Sequence, residues 1–164
     1  TKVEEITIQE LIKNKIKLLI LDVDNTLIDY YKNLSDSVIN WSKEMKGQGI
    51  KLYILSNTND EEKVKKVAQK LNIPYKHFAM KPLKRGFKKI EKETQIQAEN
   101  IAVVGDQIFT DVLGGNRSGM FTILVEPIDN KKDYWYTAWK RPIENKIKNK
   151  IKKETKEGKN KNVY

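Results

Sequence analysis

The chain alternates short apolar runs with amphipathic stretches along most of its length. Four runs have the length and composition of strands buried on both faces: 17–23, 50–55, 101–104 and 121–125. The more polar stretch 75–79 is a fifth candidate strand. Between them, hydrophobic residues recur at the three- and four-residue spacing of helices. This alternation predicts an α/β fold: a doubly wound, Rossmann-like parallel sheet of about five strands with flanking helices.

Several of the helical stretches also carry start signals. Thr7 and Glu10 have the spacing of a capping box ahead of a short first helix. Asn59 and Glu62 have the same spacing ahead of a longer one. A further helix is expected over 35–46, and another after Pro82, whose apolar face would comprise Leu83, Phe87 and Ile90.

Polar residues stand at the carboxyl ends of four predicted strands, where ligands bind in sheets of this kind. They are Asp22 and Asp24, Ser56 and Asn57, Lys81, and Asp106 with Asp111. Carboxylates that leave a buried strand are costly to desolvate unless a cation pairs with them. Acids after two strands would converge on one point, and oxygen ligands of this kind suit Mg²⁺.

Each signal has an alternative interpretation. An EF-hand calcium loop is excluded because Leu27 stands where that loop needs glycine and no helix precedes it. Asp22 and Asp24 could still be two unrelated acids at a turn. Ser56 and Asn57 could form a turn or N-cap instead of holding a phosphate oxygen, and Lys81 could be a solvated lysine.

The residues together resemble the haloacid dehalogenase superfamily of phosphatases over about 17–125. The resemblance rests on Asp22-x-Asp24-x-Thr26-Leu27, Ser56, Lys81 (with Lys84 as the alternative), Gly105-Asp106 and Asp111. The stretch 105–116, together with Ser56-Asn57 and Lys81-Pro82, is further similar to the YqeG-type and mitochondrial-type phosphatidylglycerophosphatases.

This resemblance implies a phosphomonoester hydrolase that works through an aspartyl-phosphate. It implies that Asp22 is the nucleophile and Asp24 the general acid and base. It further assigns phosphate binding to Ser56, Asn57 and Lys81, supporting roles to Thr26 and Asp111, and Mg²⁺ ligation to Asp22, Asp106 and the backbone carbonyl of Asp24.

The intervals between the motifs leave no room for a cap domain. Asp24 and Ser56 are 32 positions apart, and Ser56 and Lys81 are 25 apart. The expected enzyme is therefore of the capless subclass III, with an open site that suits a large or membrane-borne substrate, or one closed by a neighbouring subunit.

The leaving group is not fixed by any residue in the chain. The family resemblance implies phosphatidylglycerophosphate. Two alternatives stay open: a phosphatase of a soluble sugar phosphate, nucleotide or nucleic-acid end, and a non-catalytic domain that recruits a partner. No nucleic-acid-binding module is recognisable, so nucleic acid is the less expected partner.

The net charge of +10 is concentrated at the carboxyl end. Residues 131–164 hold 12 Lys and Arg against 4 Asp and Glu, so we expect a phosphatase domain over 1–130 and a basic extension over 131–164. Ile143, Ile147 and Ile151 recur every four residues there, which predicts a partly helical segment that frays toward its end. Such a segment could contact an anionic membrane, pack on the body or be merely solvated.

The remaining composition bears on location. The chain has no cysteine, which favours a reducing cytoplasm. The first sixteen residues are mixed and charged and do not resemble a secretory signal. The expected location is cytoplasmic, and peripheral contact at the inner membrane surface is one of the alternatives for the basic tail.

Overall fold

The computed structural model describes residues 1–129, and its centre is a sheet of five parallel strands in the order β3-β2-β1-β4-β5. The strands are β1 (Leu18–Leu21), β2 (Lys51–Leu55), β3 (Tyr75–Lys76), β4 (Ile101–Gly105) and β5 (Phe121–Leu124). The helices are α1 (Ile8–Lys13), α2 (Asp36–Gly47), α3 (Glu61–Leu71), α4 (Lys84–Thr94) and α5 (Leu113–Arg117). The doubly wound parallel sheet predicted from the sequence is confirmed.

The central strand β1 brings the neighbouring strand ends into line. Leu21 is in register with Ile54 of β2 on one side and with Val104 of β4 on the other. Because all three strands run in the same direction, the residues that follow them emerge at one edge of the sheet.

Both faces of the sheet are covered, as the nearly continuous apolar runs predict. Along β1, Leu19 and Leu21 face a core shared with α1, α2 and α3. The alternate residues, Leu18 and Ile20, face a second core that includes Phe87 and Ile90 of α4. The strand side-chain period of two therefore divides one apolar run between two cores.

The helix starts follow the sequence in some places and not in others. Thr7 and Glu10 form the expected capping box ahead of α1. The capping box at Asn59 is wrong: Asp60 is the N-cap of α3, and its carboxylate accepts a hydrogen bond of 3.0 Å from the Lys63 N–H. Aspartate and asparagine are equally good N-cap residues, so either Asn59 or Asp60 could fill this position.

The segment around Pro82 also differs from the prediction. The helix α4 begins only at Lys84, and Leu83 is its N-cap residue, with an exposed side chain. Leu83 therefore does not belong to the buried face formed by Phe87 and Ile90.

The third strand is shorter than the candidate strand 75–79. It ends at Lys76, and Phe78 has a positive φ of 49°. The backbone N–H of Phe78 donates to the Thr58 carbonyl, and that of Ala79 donates to the Ser56 carbonyl. The chain thus leaves the sheet and lies along the loop that follows β2.

No cap domain is present between the strands of the described chain. A flap, which we define as residues 25–34, follows β1 and is fixed by single bridges that pair Asp24 with Ile28 and Ile28 with Leu34. Only α2 then precedes β2, and only α3 and β3 follow it before Lys81. Within residues 1–129, no helix is long and apolar enough to cross a membrane. The predicted extension over 131–164 lies outside the described residues.

Candidate active site

Asp22 is the first residue after β1 and is held rigidly at the edge of the sheet. Its backbone N–H donates to the Val104 carbonyl of β4 at 2.9 Å, so the ladder extends one residue past the strand. Its side chain is buried, with 7% of the residue exposed. A carboxylate in this position needs a cationic partner to stay ionised.

Lys81 is the cationic partner of Asp22 and offsets part of the cost of burial. Its Nζ lies 2.6 Å from Asp22 Oδ1 and 2.6 Å from Asp111 Oδ1, and its side chain is almost completely buried. The solvated-lysine interpretation of Lys81 is therefore wrong. The alternative, Lys84, is exposed at the start of α4.

Asp106 and Asp111 come from the turn that follows β4. Asp106 is 0% exposed, and Asp111 lies in a π-helical turn, Ile108–Val112, that returns it toward the strand end. The Gln107 N–H donates to Asp111 Oδ2 at 3.3 Å, which fixes the second carboxylate oxygen. One oxygen each from Asp22, Asp106 and Asp111 lies within 4.8 Å of the other two.

This arrangement fits a hard divalent cation. Three buried carboxylates are close enough to share one ion, and oxygen is the ligand that Mg²⁺ prefers. The carboxylate of Asp24 is not in the cluster, so the expected role of this residue in ligation rests on its backbone carbonyl and stays a prediction.

The pKa values of the site reflect this crowding of charge. Burial raises the pKa of Asp22 to about 7, against the opposing effect of Lys81. Burial also raises the pKa of Asp111. Burial lowers the pKa of Lys81, but the Asp111 and Asp22 carboxylates outweigh it, so its net shift is upward and the ammonium stays charged.

Asn57 positions Lys81 through the backbone. The Asn57 amide donates to the Lys81 carbonyl at 3.0 Å, and its carbonyl oxygen accepts from the Lys81 N–H at 2.6 Å. These two hydrogen bonds join the loop after β2 to the segment after β3. The side chain of Asn57 therefore holds Lys81 in place, and its predicted contact with phosphate stays a prediction.

Ser56 and Thr26 are both buried at the same edge of the sheet, each with 1% exposed. Ser56 Oγ accepts a hydrogen bond from the Thr58 N–H at 3.2 Å, which leaves its hydroxyl hydrogen available for an acceptor oxygen. The Thr26 hydroxyl has no hydrogen-bond partner among the described residues. The assigned roles of both residues stay predictions.

Asp24 has a partner that the sequence does not predict. Lys63 of α3 places its Nζ 2.6 Å from Asp24 Oδ1. The Lys63 side chain is only 7% exposed, whereas that of Asp24 is 39% exposed. One lysine among many on an amphipathic helix gives no signal of this contact in the sequence, because the contact depends on how α3 packs against the flap.

The chain is also similar to known phosphatases. A family model described as mitochondrial PGP phosphatase matches residues 2–129. The chain is 40% identical to the Bacillus subtilis protein named Probable phosphatase YqeG, over 87% of this chain and 82% of that one. The chain belongs to the mitochondrial PGP phosphatase family. The predicted similarity to the YqeG-type and mitochondrial-type phosphatidylglycerophosphatases, and the prediction of a phosphatase, are confirmed.

More distant relatives extend the comparison. The Arabidopsis thaliana chloroplastic/mitochondrial phosphatidylglycerophosphate phosphatase 1 is 27% identical over 82% of this chain, but only 42% of the plant protein is covered. The cobalt-bound deoxy-D-mannose-octulosonate 8-phosphate phosphatase of Haemophilus influenzae has a similar structure. Its TM-score is 0.55 at 20% identity, over 70% of this chain and 72% of that one. At this identity the likeness concerns the fold alone.

Proposed function

We propose that this member of the family is a Mg²⁺-dependent phosphomonoester hydrolase that works through an aspartyl-phosphate on Asp22, with phosphatidylglycerophosphate as its substrate. The observation that carries the proposal is the buried Lys81 ammonium, which contacts Asp22 and Asp111 beside Asp106. A lysine and a cluster of carboxylates at one strand edge can bind a phosphoryl group and a cation together.

The residues that would hold the ion are Asp22, Asp106 and the backbone carbonyl of Asp24, with the Asp111 carboxylate within reach of the same cluster. The bound ion would supply positive charge that offsets the repulsion between the Asp22 carboxylate and the substrate phosphate.

In the first step, an oxygen of Asp22 forms a bond to phosphorus while the bond from phosphorus to the ester oxygen breaks. Lys81 and the Ser56 hydroxyl stabilise the charge on the phosphoryl oxygens. Asp24 donates a proton to the departing alkoxide, so the alcohol leaves neutral. General acid–base assistance of this kind is worth about 10²–10⁴-fold in rate.

In the second step, water attacks phosphorus and the bond to Asp22 breaks, which releases phosphate and restores the carboxylate. Asp24 accepts the proton that the water loses. The partial exposure of Asp24 supports this role, because both the alcohol and the water must reach it from solvent.

Three observations support the lipid substrate. The family model is that of PGP phosphatases, and the plant relative is named for phosphatidylglycerophosphate. The absence of a cap from the described chain leaves the site accessible to a headgroup at a surface. A soluble phosphate ester is the second candidate, since the cluster itself recognises only a phosphoryl group. The non-catalytic alternative is wrong, because the chain is a phosphatase by family.

A pair of variants tests the mechanism. Asp22→Asn should abolish turnover and should not acquire a phosphoryl group in intact-protein mass spectrometry. Asp24→Asn should accumulate the phosphoryl-enzyme with an aryl phosphate, because the first step then needs little acid assistance while hydrolysis loses its base. More than a few per cent of activity in a folded Asp22→Asn protein would exclude the covalent mechanism.

The substrate is tested separately from the mechanism. Phosphate release should be compared among phosphatidylglycerophosphate in micelles, sugar phosphates and nucleotides, at equal Mg²⁺. A higher kcat/KM for the lipid than for every soluble ester is expected. A preference for a soluble ester would leave the mechanism intact and replace the substrate.

A further inference from the structure

A groove lies beside Asp24, between the flap and helix α3. It has a volume of about 410 Å³, and its lining includes Lys32 and Leu34 from the flap and Asp60, Lys63, Lys66 and Lys70 from α3 or its cap. None of the catalytic acids lines it. Lys63 is the connection, because this residue both lines the groove and contacts Asp24.

The groove lies on the side of the site where the alcohol would leave in the proposed reaction. The inference therefore rests on the proposed function. Asp22 approaches phosphorus from the sheet, and the ester oxygen must face Asp24, which protonates it. The alcohol part of the substrate consequently extends past Asp24. Lys63 contacts Asp24 and also lines the groove, so an alcohol that passes Asp24 reaches the groove at this lysine.

Most of the charged residues that line the groove follow one another along α3 and its N-cap. Lys32 pairs at 3.0 Å with Asp60, the N-cap residue of the helix. Lys63 pairs with Asp24. Lys66 and Lys70 are exposed about one and two helix turns further, so about 5 and 10 Å along the axis from Lys63.

Apart from these two ion pairs, the groove lining carries a net positive charge. Lys66 and Lys70 line the groove with no ion pair to another described residue, and the one acid left beside them is Glu62. Two ammonium groups held near one another in a concave surface attract a single anion more strongly than an isolated surface lysine does.

We propose that this groove binds a second anionic group carried by the alcohol part of the substrate, a phosphodiester or a comparable phosphate. The preferred substrate is then an ester whose phosphomonoester lies at Asp22 and whose other negative charge lies against Lys66 and Lys70. The groove would thereby select such alcohols over a neutral alcohol of the same length.

Three substrates and two paired variants test the proposal. The substrates are sn-glycerol 3-phosphate, glycerophosphoglycerol phosphate and phosphatidylglycerophosphate in neutral detergent micelles. The test variant is Lys66→Gln/Lys70→Gln. The control is Lys65→Gln/Lys89→Gln, which removes the same charge from exposed positions outside the groove.

We expect the wild type to prefer glycerophosphoglycerol phosphate over glycerol 3-phosphate. The test variant should lower the ratio of the two kcat/KM values about tenfold, through KM, because each exposed charge contact is worth a few-fold. The control should keep the ratio. An unchanged ratio in the test variant, or an equal change in the control, would overturn the proposal.

The measurement with the micellar lipid distinguishes contact with the phosphodiester of the headgroup from contact with the micelle surface. A loss seen with both the deacylated and the lipid substrate assigns the lysines to the phosphodiester. A loss confined to the micellar lipid would mean that they contact the micelle surface, which overturns the groove assignment.

Binding without turnover keeps this test independent of the proposed function. Glycerophosphoglycerol, titrated into ¹⁵N-labelled protein, should shift the amide signals of positions 63, 66 and 70 in the wild type and not in the test variant. No shift at these positions would overturn the groove. If the wild type hydrolyses none of the three esters, the proposed function fails while the titration still decides the groove.

Discussion

Gly105 and Asp111 pack so closely that a Cβ atom at position 105 would lie 2.2 Å from the Asp111 carboxyl group. The carboxyl group cannot move aside freely, because Asp111 Oδ1 contacts Lys81 Nζ at 2.6 Å. Glycine is therefore required at the end of β4 for the lysine to reach Asp22.

Gly105→Ala should consequently displace Asp111 and loosen Lys81. We expect a loss of about 1–3 kcal/mol in the free energy of unfolding, which is typical of overpacking, and at least a tenfold fall in kcat. Chemical denaturation and phosphate release measure the two effects. Gly47→Ala is the matched control, since a Cβ there meets nothing within 4 Å. Equal effects in both variants would contradict the packing argument.

Asn57 and Lys81 give a second prediction. Asn57→Ala removes both hydrogen bonds to the Lys81 backbone, so kcat should fall about tenfold or more as the ammonium loses its position. Asn57→Asp keeps an acceptor for the Lys81 N–H but loses the donor to its carbonyl, and should be intermediate. Steady-state kinetics on an aryl phosphate measures this, with Asn59→Ala in the same loop as the control. Full activity of Asn57→Ala would show that Lys81 is positioned by its ion pairs alone.

Much of this arrangement follows from the sequence. The run before Asp22 predicts a buried strand because both of its faces are apolar, and parallel strands bring Asp22, Asp106 and Asp111 to one edge. The spacing between motifs predicts the absence of a cap. These features depend on local pattern and on the direction of strands.

Other features depend on packing between segments far apart in the chain. The contact of Lys63 with Asp24 joins residues 39 positions apart, and the hydrogen bonds of Asn57 to Lys81 join residues 24 apart. The choice of Asp60 over Asn59 as N-cap depends on a shift of one residue, which propensity does not resolve because both residues are good caps.

Lys63 supports a third prediction. Its ammonium holds the Asp24 carboxylate in one direction, so Lys63→Met should lower kcat by about 10–100-fold on alkyl phosphates, where the leaving group needs a proton. The effect should be smaller on aryl phosphates, which leave without one. Lys63→Arg should recover part of the loss, because it can form the same ion pair. The control is Lys65→Met, at an exposed position of α3. A loss that is equal for alkyl and aryl esters would assign Lys63 to stability instead.

The raised pKa of Asp22 gives a fourth prediction. In the metal-free protein this carboxyl holds a proton up to about pH 7, and a divalent cation must displace it. The affinity for Mg²⁺ should therefore rise with pH, by up to about tenfold per unit below pH 7, and level off above it. Isothermal titration calorimetry in two buffers of different ionisation enthalpy measures the proton release. An affinity that does not change across this range would contradict the assignment of Asp22 as a ligand.

The stability of the metal-free protein should depend on the same titration of Asp22. Whereas the affinity for Mg²⁺ rises with pH, this contribution to the free energy of unfolding falls with pH. The folded-state pKa of Asp22 is raised from 3.8 to about 7, so the folded protein binds a proton that the unfolded chain has lost. In the metal-free protein, the protonated Asp22 carboxyl therefore contributes to stability at low pH. This contribution is lost as pH rises through about 7. Mg²⁺ should raise Tm more at pH 8 than at pH 5, each pH being about one to two units from the titration. Asp22→Asn should remove most of this difference.

The last prediction concerns residues 131–164, which lie outside the described residues and for which the sequence alone supplies the argument. This segment carries a charge of +8. It includes Trp139, a residue type that favours membrane–water interfaces, and isoleucines that recur every four positions. Contact with an anionic membrane would bring the enzyme to a lipid substrate.

Replacement of five basic residues by Gln in the full chain tests this contact: Lys146, Lys148, Lys150, Lys152 and Lys153. Each basic side chain near an anionic surface is worth about 1 kcal/mol, and salt screens the attraction over a distance of about 8 Å. The wild type should sediment with anionic vesicles at low salt and release at high salt, whereas the Gln variant should stay in the supernatant. Replacement of the same five residues by Arg keeps the charge and should preserve sedimentation. If the Gln variant sediments as the wild type does, the basic tail does not bring this enzyme to the membrane, and the lipid substrate would then rest on family membership and the open site.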